Sequence, residues 1–447
     1  MKRKTGIVIA VMLLAALLTG CSPLGLDTQT LMQPPKTTGE RQEIYQVLAQ
    51  KTDNQLTLRY PKAGEYRSAI IMRDVTGDGN EEAIAFYTRN DEPFTIISVI
   101  RETDGVWQEV ASFQNPSTQI DRVCFGDFSG DGILDIAVGW GNSATGLSEL
   151  YLYAYRDGMV KETPTKELYH ELTVLPLDAE SGKSAVLTAR LKTKDNTAAA
   201  KLLELVNDNV HVMGMVQLDP EVTKYSKVTA GKIDADRYGV LLDGTKGANA
   251  YQTEILYWDS AQEQLKNPLY LQEEKTVQYT ARATAVFSQD INGDGILEVP
   301  IGYSLPGVSA GNMNETSYVV NWHRYNVRTN TVTGLLSTIV NSGDGYMFLI
   351  PESWKDRVTT TWNEGSRQLT FYRWLISSGD GESGRQGEPL LMLQVMTQES
   401  WERQASSTDL VKLKQYEDRV FAARLFDGDG ALTAEQAEAS LKLLTSN

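Results

Sequence analysis

Three short stretches of this sequence gather acidic side chains around a Gly-Asp-Gly centre, a pattern that could bind a divalent cation. They are DVTGDGNEE at 74–82, DFSGDGILD at 127–135 and DINGDGILE at 290–298. Each has oxygen-bearing side chains at positions 1, 3, 5 and 9 and glycine at position 6. Calcium prefers about six to eight oxygen ligands, which a turn supplies when alternate side chains converge and glycine permits a sharp reversal. The spacing therefore predicts calcium sites.

The predicted ligands are the side chains at those four positions and the backbone carbonyl at position 7. They are Asp74, Thr76, Asp78, Asn80 and Glu82; Asp127, Ser129, Asp131, Ile133 and Asp135; and Asp290, Asn292, Asp294, Ile296 and Glu298. Magnesium demands stricter octahedral geometry and keeps its waters, so calcium is the favoured ion. Each ion would be structural, since it would connect two strands and offset the repulsion within the loop. The other interpretation is a solvated acidic turn without metal.

The EF-hand is the nearest rival to this interpretation. Its loop ends in a bidentate glutamate at position 12 and is flanked by helices. Position 12 is Ala85, Val138 or Ile301 here, and the residues that follow each glycine have the pattern of a strand. The sequence therefore argues against EF-hands, and the copies lie too far apart for paired dockerin-type loops.

The acidic stretches belong to a longer repeat. Two weaker copies lie between the second and the third, so the five starts are separated by 53, 51, 56 and 56 residues. The weaker copies have Asp178, Glu180, Gly182 and Val186, and Asp234, Asp236, Tyr238 and Leu242, at positions 1, 3, 5 and 9. A unit of roughly 50 residues with about four short strands is typical of a β-propeller blade. We expect about five blades between Leu56 and Val340, with residues 55–61 as a candidate to close the ring on the last blade.

These loops with their flanking strands resemble the FG-GAP or VCBS repeat, the calcium-bearing blade motif of integrin α-subunit propellers and many bacterial surface proteins. The resemblance covers about 280 residues and implies a β-propeller with structural calcium in the three complete loops. Three further segments resemble an uncharacterised group of lipoproteins from clostridial-type bacteria: PPKTTGERQEIYQVL, LTLRYPKAGEYRSA and GYMFLIPESWKDRVT. That similarity implies a surface lipoprotein and names no activity.

The N-terminus has the pattern of a lipoprotein signal peptide, assigned to residues 1–20. Basic residues precede an apolar run at 7–18, which is shorter than the roughly 20 residues that a spanning helix needs. The run leads into Leu-Thr-Gly-Cys, which resembles the bacterial lipobox. We therefore expect lipidation at Cys21, a tether over 21–39, and a protein anchored to the cell membrane on its extracytoplasmic side.

The rest of the chain is predicted to form two domains. Residues 40–340 are assigned to the propeller, which begins with a short helix at 40–50, and residues 341–447 to a small α+β domain that ends in a helix. The fold class is thus mainly β. Acidic residues outnumber basic ones by 58 to 42, which disfavours binding to nucleic acid.

No catalytic constellation stands out in the sequence. GVSAG at 307–311 matches a nucleophile elbow but lacks the helix that should follow it. His170, His211 and His323 show no metal-ligand spacing. We therefore predict a non-enzymatic, calcium-binding surface protein that serves as a binding or adhesion module for an extracellular protein or glycan. The alternative is a cell-surface hydrolase of glycans or peptides, whose paired carboxylates the sequence alone does not locate.

Overall fold

The chain folds mainly into β-strands, as its sequence predicts. The structure is a computed structural model that describes residues 39–90, 92–142, 144–177, 182–248, 250–308, 314–376, 384–405 and 407–444. The predicted signal peptide, the lipidation site Cys21 and the tether up to residue 38 lie outside these residues. Among the helices that are described, none has the length and apolar character needed to cross a membrane.

The first four sheets are antiparallel and take most of their strands in chain order. The first contains β1 (Leu56–Leu58), β2 (Ile70–Arg73), β3 (Glu82–Arg89), β4 (Thr95–Thr103) and β5 (Val106–Asn115). The second contains β6 (Gln119–Gly126), β7 (Asp135–Gly141), β8 (Ser148–Arg156) and β9 (Met159–Tyr169). The third contains β10 (Glu171–Pro176), β11 (Ser184–Arg190), β12 (Ala199–Val206) and β13 (Asn209–Gln217). The fourth contains β14 (Val222–Lys232), β15 (Tyr238–Lys246), β16 (Ala250–Asp259) and β17 (Gln264–Lys266).

A short hairpin and two five-stranded sheets follow. The hairpin pairs β18 (Tyr270–Leu271) with β19 (Thr276–Val277). The fifth sheet has the order β20 (Val299–Ser304), β21 (Tyr318–Asn326), β22 (Thr331–Asn341), β23 (Tyr346–Leu349) and β29 (Leu441–Leu443). The sixth has the order β24 (Val358–Asn363), β25 (Gln368–Ile376), β26 (Gly384–Thr397), β28 (Arg419–Leu425) and β27 (Val411–Tyr416).

Helices are short and lie near the ends of the described chain. They are α1 (Glu40–Lys51), α2 (Gln398–Gln404) and α3 (Ala434–Ser440), with 3-10 turns at Glu315–Ser317 and Glu352–Trp354. The predicted helix at 40–50 is confirmed by α1, which buries Ile44 and Leu48. Thr433 and Gln436 form a capping box that starts α3.

Consecutive sheets pack against each other and form the core. Strands such as β3 and β7 are buried along nearly their whole length, because other elements cover both of their faces. The second sheet and α1 cover β3, and the first and third sheets cover β7. Phe86 of the first sheet meets Trp140 of the second edge to face, with ring centroids 6.3 Å apart. Apolar clusters of the same kind join each later pair of sheets. Burying one such side chain stabilises the fold by about 1.5–3 kcal/mol. The apolar clusters therefore hold each sheet to the next one along the chain.

Three details differ from what the sequence suggested. The segment proposed to close a ring forms β1, which pairs with β3 of the first sheet and not with the last. The predicted domain boundary at 340/341 falls inside the fifth sheet, between the last two residues of β22, which pair with β23. The helix predicted at the C-terminus ends at Ser440, because the next three residues pair with the free edge of β23 as β29. Tertiary pairing overrides the local helical pattern there.

Candidate functional site

The three acidic stretches form turns that lead from one strand into the next. We call 74–82, 127–135 and 290–298 the acidic turns. The first two connect β2 to β3 and β6 to β7. In the third, the Gln289 to Glu298 bridge takes the place of a first strand, and β20 follows. The prediction that strands and not helices flank these turns is confirmed.

The aspartate at position 1 organises each turn. In the first turn, Asp74 Oδ1 accepts a hydrogen bond from the Gly77 N–H at 2.7 Å and Asp74 Oδ2 accepts one from the Gly79 N–H at 2.9 Å. Asp127 and Asp290 bind the corresponding glycine amides of their turns. Both glycines of the first turn have positive φ, 74° and 88°, which an L side chain rarely adopts. The local sequence thus explains the shape of the turn.

Side chains at positions 3 and 5 are satisfied within the turn. Thr76 donates to Glu82 at 3.0 Å and the Asn292 amide donates to Asp294 at 2.9 Å, so these groups act as donors toward the carboxylates. The position 5 carboxylates accept the N–H of the residue at position 7. Those position 7 residues are Asn80, Ile133 and Ile296, whose carbonyls were the predicted ligands.

An arginine from the second strand after each turn binds the buried carboxylate at position 9. Arg101 Nε lies 3.0 Å from Glu82 and Arg324 Nη2 lies 2.6 Å from Glu298, and both glutamate side chains are fully buried. In the second turn, Arg156 binds Asp131 at 2.7 Å and Asp135 at 3.2 Å. The remaining oxygen of each buried carboxylate accepts the backbone N–H at position 2. One arginine and at least one backbone amide therefore bind the buried position 9 carboxylate of each turn.

This donor set does not fit a calcium ion as arranged. Calcium needs several oxygens directed at one centre, whereas a guanidinium occupies one side of the position 9 carboxylate. Within the described ranges, no group of three or more His, Cys, Asp or Glu side chains is placed to hold a metal. Calcium binding at the acidic turns stays a prediction of the sequence.

The two weaker copies leave fewer residues between their paired strand ends. Each complete turn has eight residues between its paired strand ends, as in 74–81. The third copy has seven, 177–183, and the fourth has five, 233–237. Asp178 and Glu180 lie outside the described residues. The third copy also has the ion pair with its charges exchanged. Lys183 before β11 supplies the cation, and Glu204 of β12, the second strand after it, supplies the carboxylate at 2.9 Å.

A second cluster of charged side chains lies where the first strands of the second and third sheets meet. We call Asp121, Arg122, Tyr169 and Glu171 the first-strand cluster. The register of β6 and β7 shifts between Ile120 and Val123, so Asp121 and Arg122 together oppose Gly139. Such a β-bulge turns side chains away from the regular alternation and is frequent beside active sites. It brings the Arg122 guanidinium toward Glu171 on β10.

Hydrogen bonds hold the two carboxylates of the first-strand cluster on one guanidinium. Arg122 Nε lies 3.0 Å from Asp121 Oδ2, and Arg122 Nη2 lies 2.8 Å from Glu171 Oε2. The third nitrogen, Nη1, donates to the carbonyl of Leu172 at 2.9 Å. The Tyr169 hydroxyl donates to Asp121 Oδ2 at 2.8 Å. Both carboxylates are thus fixed in orientation by charged or hydroxyl donors.

Gly139 makes room for this arrangement. A Cβ at position 139 would overlap the Tyr169 hydroxyl and approach the Cβ of Asp121 to 3.4 Å. Only glycine therefore lets the tyrosine reach the aspartate. Position 139 lies in β7, where a side chain would ordinarily be tolerated, so the glycine serves the cluster.

The first-strand cluster is partly accessible to solvent. The side chains of Asp121 and Glu171 are 20% and 22% exposed. Burial raises the pKa of Glu171 above its ordinary value, although Arg122 opposes this shift. Both carboxyl groups are therefore within reach of a molecule that binds from solvent.

Sequence reasoning missed this cluster. A signal was present in QIDRVCF, where an acid and a base interrupt an otherwise apolar strand. Charged residues at such positions are buried only when they are paired. Their partner Glu171 is 50 residues away and could not be identified without the arrangement of the sheets.

The other catalytic candidates remain apart. Ser309 to Gly311 of the GVSAG motif lie outside the described residues. The histidines have separate environments: His170 accepts the Leu191 N–H, His211 contacts Glu204, and His323 contacts the carbonyl of Asn321. Burial lowers the pKa of His170 and His323.

Comparisons with known proteins give distant structural similarities. No protein-family model matches the chain, and no curated protein matches it. The β-propeller domain of the Trilobed protease from Pyrococcus furiosus, described as having an open velcro topology, has a TM-score of 0.28 at 11% identity, over 74% of this chain and 90% of that domain. The α-L-arabinanase of Penicillium chrysogenum has a TM-score of 0.28 at 11% identity, over 83% and 97%. The exo-β-1,3-galactanase of Phanerochaete chrysosporium has a TM-score of 0.29 at 10% identity, over 76% and 79%.

The prediction of a non-enzymatic protein is contradicted by these comparisons. Two of the three structures are enzymes that act on glycans. At such low TM-scores and identities the likeness assigns no substrate or activity to this chain.

Proposed function

We propose that the protein is a hydrolase that acts on glycans, with Asp121 and Glu171 as its paired carboxylates. The observation that carries the proposal is the β-bulge in β6, which brings the carboxylates of two sheets to one arginine. Hydrolysis of a glycosidic bond requires two acids in different surroundings, because one donates a proton while the other attacks or activates water. In this proposal the successive sheets are the blades that bring their first strands together.

Glu171 is assigned the role of general acid. Its raised pKa keeps the carboxyl protonated to higher pH than an exposed glutamate. When the glycosidic bond breaks, this proton passes to the leaving oxygen, which also takes the electron pair of the C–O bond. Asp121 then attacks the anomeric carbon, or it takes a proton from the water that does so. Water completes the hydrolysis in both cases.

Arg122 and Tyr169 are positioning residues in this scheme. They contact the carboxylates through the 2.8 to 3.0 Å bonds described above and fix the direction in which each oxygen points. Fixed orientation lowers the entropic cost of bringing catalytic groups to the substrate.

The test is turnover of a panel of polysaccharides by the full chain, with peptides as the second substrate class. Asp121→Asn and Glu171→Gln should each lower kcat at least about 100-fold, because general acid–base catalysis contributes roughly that much or more. Asp409→Asn is the matched control, since Asp409 binds Arg424 in a solvent-exposed pair. Melting temperatures report whether each variant folds.

Two results would overturn the proposal. One is wild-type protein that cleaves no polysaccharide of the panel, whether or not it cleaves a peptide. The other is hydrolysis that survives in folded Asp121→Asn protein.

We also propose, from the N-terminal sequence, that a lipid on Cys21 anchors the protein outside the cytoplasmic membrane. The residues that support this are Leu18-Thr19-Gly20-Cys21 behind the apolar run. Cys21→Ser should move the protein from the membrane fraction to the soluble fraction. A Cys21→Ser protein that stays with the membrane and is still processed would contradict the proposal.

A further inference from the structure

A cavity of about 320 Å³ opens between the fifth and sixth sheets, away from the first-strand cluster. Its floor consists of the buried side chains of Leu305, Trp354 and Val358. Small-molecule sites typically measure about 300–1,000 Å³ and combine an apolar lining with a few fixed polar groups. The cavity has the size of a site for one small ring.

The walls of this cavity are held in place by hydrogen bonds. The Thr359 hydroxyl donates to the carbonyl of Pro306 at 2.6 Å, which ties β24 to the segment that follows β20. The Thr360 hydroxyl binds the carbonyl of Thr316 at 2.8 Å, and Trp354 Nε1 binds the carbonyl of Gly430 at 2.7 Å. The cavity is therefore formed before any ligand binds, which lowers the cost of binding.

One wall offers a fixed hydrogen-bond donor. Asn321 of β21 and Ser337 of β22 are paired in register, and both line the cavity. The Ser337 hydroxyl donates to Asn321 Oδ1 at 2.6 Å. Because this bond fixes the amide, Asn321 Nδ2 remains as a donor, and no hydrogen bond from it to another described residue is present. A ligand in the cavity would receive that hydrogen bond.

The rim adds an aromatic ring and a carboxylate. Tyr303 is 54% exposed at the edge of the cavity. Asp356 and Lys355 line the same rim and are exposed. Asp356 has a φ of 57°, in the left-handed region that non-glycine residues rarely adopt. Aspartate adopts this region more readily than most non-glycine residues, and the turn places its side chain at the rim.

We infer that this cavity binds a single sugar ring of a glycan. A sugar ring has an apolar face of C–H groups and hydroxyl groups at its edge. The face matches the apolar floor and the exposed ring of Tyr303, and the hydroxyls match the Asn321 donor and the Asp356 acceptor. The choice of a glycan as ligand class rests on the proposed function. The site itself is separate from the paired carboxylates and would hold the substrate at a second place.

Saturation-transfer NMR with glucose, galactose, arabinose, rhamnose and N-acetylglucosamine tests this inference on the full chain. At least one of these sugars should receive magnetisation from the protein. Tyr303→Ala and Asn321→Ala should each raise its Kd at least tenfold, and Asp356→Asn, which suits the same backbone conformation, should weaken binding as well. Tyr416→Ala is the matched control, because Tyr416 is a 42% exposed tyrosine of β27 that does not line the cavity.

The inference is overturned if none of the five sugars binds, or if the Kd is unchanged in both folded Tyr303→Ala and Asn321→Ala proteins. Asp121→Asn protein should bind the sugar as tightly as the wild type. Binding at the cavity without any hydrolysis by the wild type would contradict the proposed function but not this inference. Hydrolysis with no loss of sugar binding in the cavity variants would contradict this inference but not the proposed function.

Discussion

Arginine binds carboxylates in two regions of this protein, with different consequences. In the acidic turns, the arginine comes from the same sheet as the carboxylate that it neutralises, as in Arg324 and Glu298. In the first-strand cluster, Arg122 joins Asp121 of its own strand to Glu171 of the next sheet. The first arrangement buries the acid and closes one turn. The second leaves both acids partly exposed, so the same kind of ion pair is structural in one region and available for chemistry in the other.

A third carboxyl group is buried but is bound by amides and not by arginine. It gives the largest expected effect on stability. Glu254 of β16 is fully buried and accepts hydrogen bonds from the Asn267 amide at 2.8 Å and from the Asp219 N–H at 3.3 Å. Burial raises its pKa from 4.5 to about 8. The folded protein therefore keeps this proton after the unfolded chain has lost it, so stability falls as pH rises from about 4.5 to 8.

Urea unfolding at pH 5 and pH 8.5 measures this effect. At about 1.4 kcal/mol per pH unit, the contribution lost is as much as about 4 kcal/mol. Glu254→Gln should be less sensitive to pH over this window and more stable than the wild type at pH 8.5. Equal pH dependence in the two proteins would show that Glu254 ionises normally.

Removing an arginine from an acidic turn should cost somewhat less. Arg324→Met leaves the buried Glu298 without its cation, and breaking a buried pair from one side costs about 3 kcal/mol or more. Arg328→Met is the matched control, because Arg328 is an exposed arginine shortly after β21. The free energy of unfolding in urea gives both values. A loss no greater than that of the control would mean that the turn does not depend on its arginine.

The charge-reversed pair in the third sheet should contribute less than the arginine pair of a complete turn. Lys183 is 36% exposed, so its pair with Glu204 is screened by solvent. Lys183→Met should therefore change the free energy of unfolding by about 0.5 kcal/mol, as exposed pairs usually do. A loss of stability near that of Arg324→Met would show that the ion pair of the third copy matters as much as the arginine pair of a complete turn.

Calcium should have a small effect if arginine already occupies the position 9 carboxylates of the acidic turns. We expect the melting temperature to be nearly the same in excess calcium and in chelator. A filled site at a hundred times its Kd would instead add about 2.7 kcal/mol. A clear rise in melting temperature with calcium, matched by binding in calorimetric titration, would establish the calcium sites that the sequence predicts.

The sequence predicted what depends on neighbouring residues. The acidic turns were located correctly because nine consecutive residues contain both the capping aspartate and the glycines that reverse the chain. The short helix at 40–50 follows from a local pattern as well. The arginine partners of the turns could not be predicted from local patterns, since Arg101 is 19 residues from Glu82 and Arg324 is 26 residues from Glu298.

Features that depend on the arrangement of sheets could not be predicted. The first-strand cluster requires a β-bulge opposite Gly139 and contact between two sheets. The last strand, β29, forms because β23 offers a free edge, although its residues continue a helical pattern. In both cases the deciding interaction is distant in sequence, where local propensity carries little information.

The central claim, that Asp121 and Glu171 are the paired carboxylates of a glycan hydrolase, is tested most directly by varying the leaving group. For a sugar that the wild type cleaves, kcat is measured on an alkyl glycoside and on a dinitrophenyl glycoside, whose leaving group needs no proton. Glu171→Gln should lose at least about 100-fold on the alkyl glycoside and almost nothing on the dinitrophenyl glycoside, whereas Asp121→Asn should lose activity on both. Equal losses by Glu171→Gln on the two substrates, or full activity of Asp121→Asn on either, would contradict the claim.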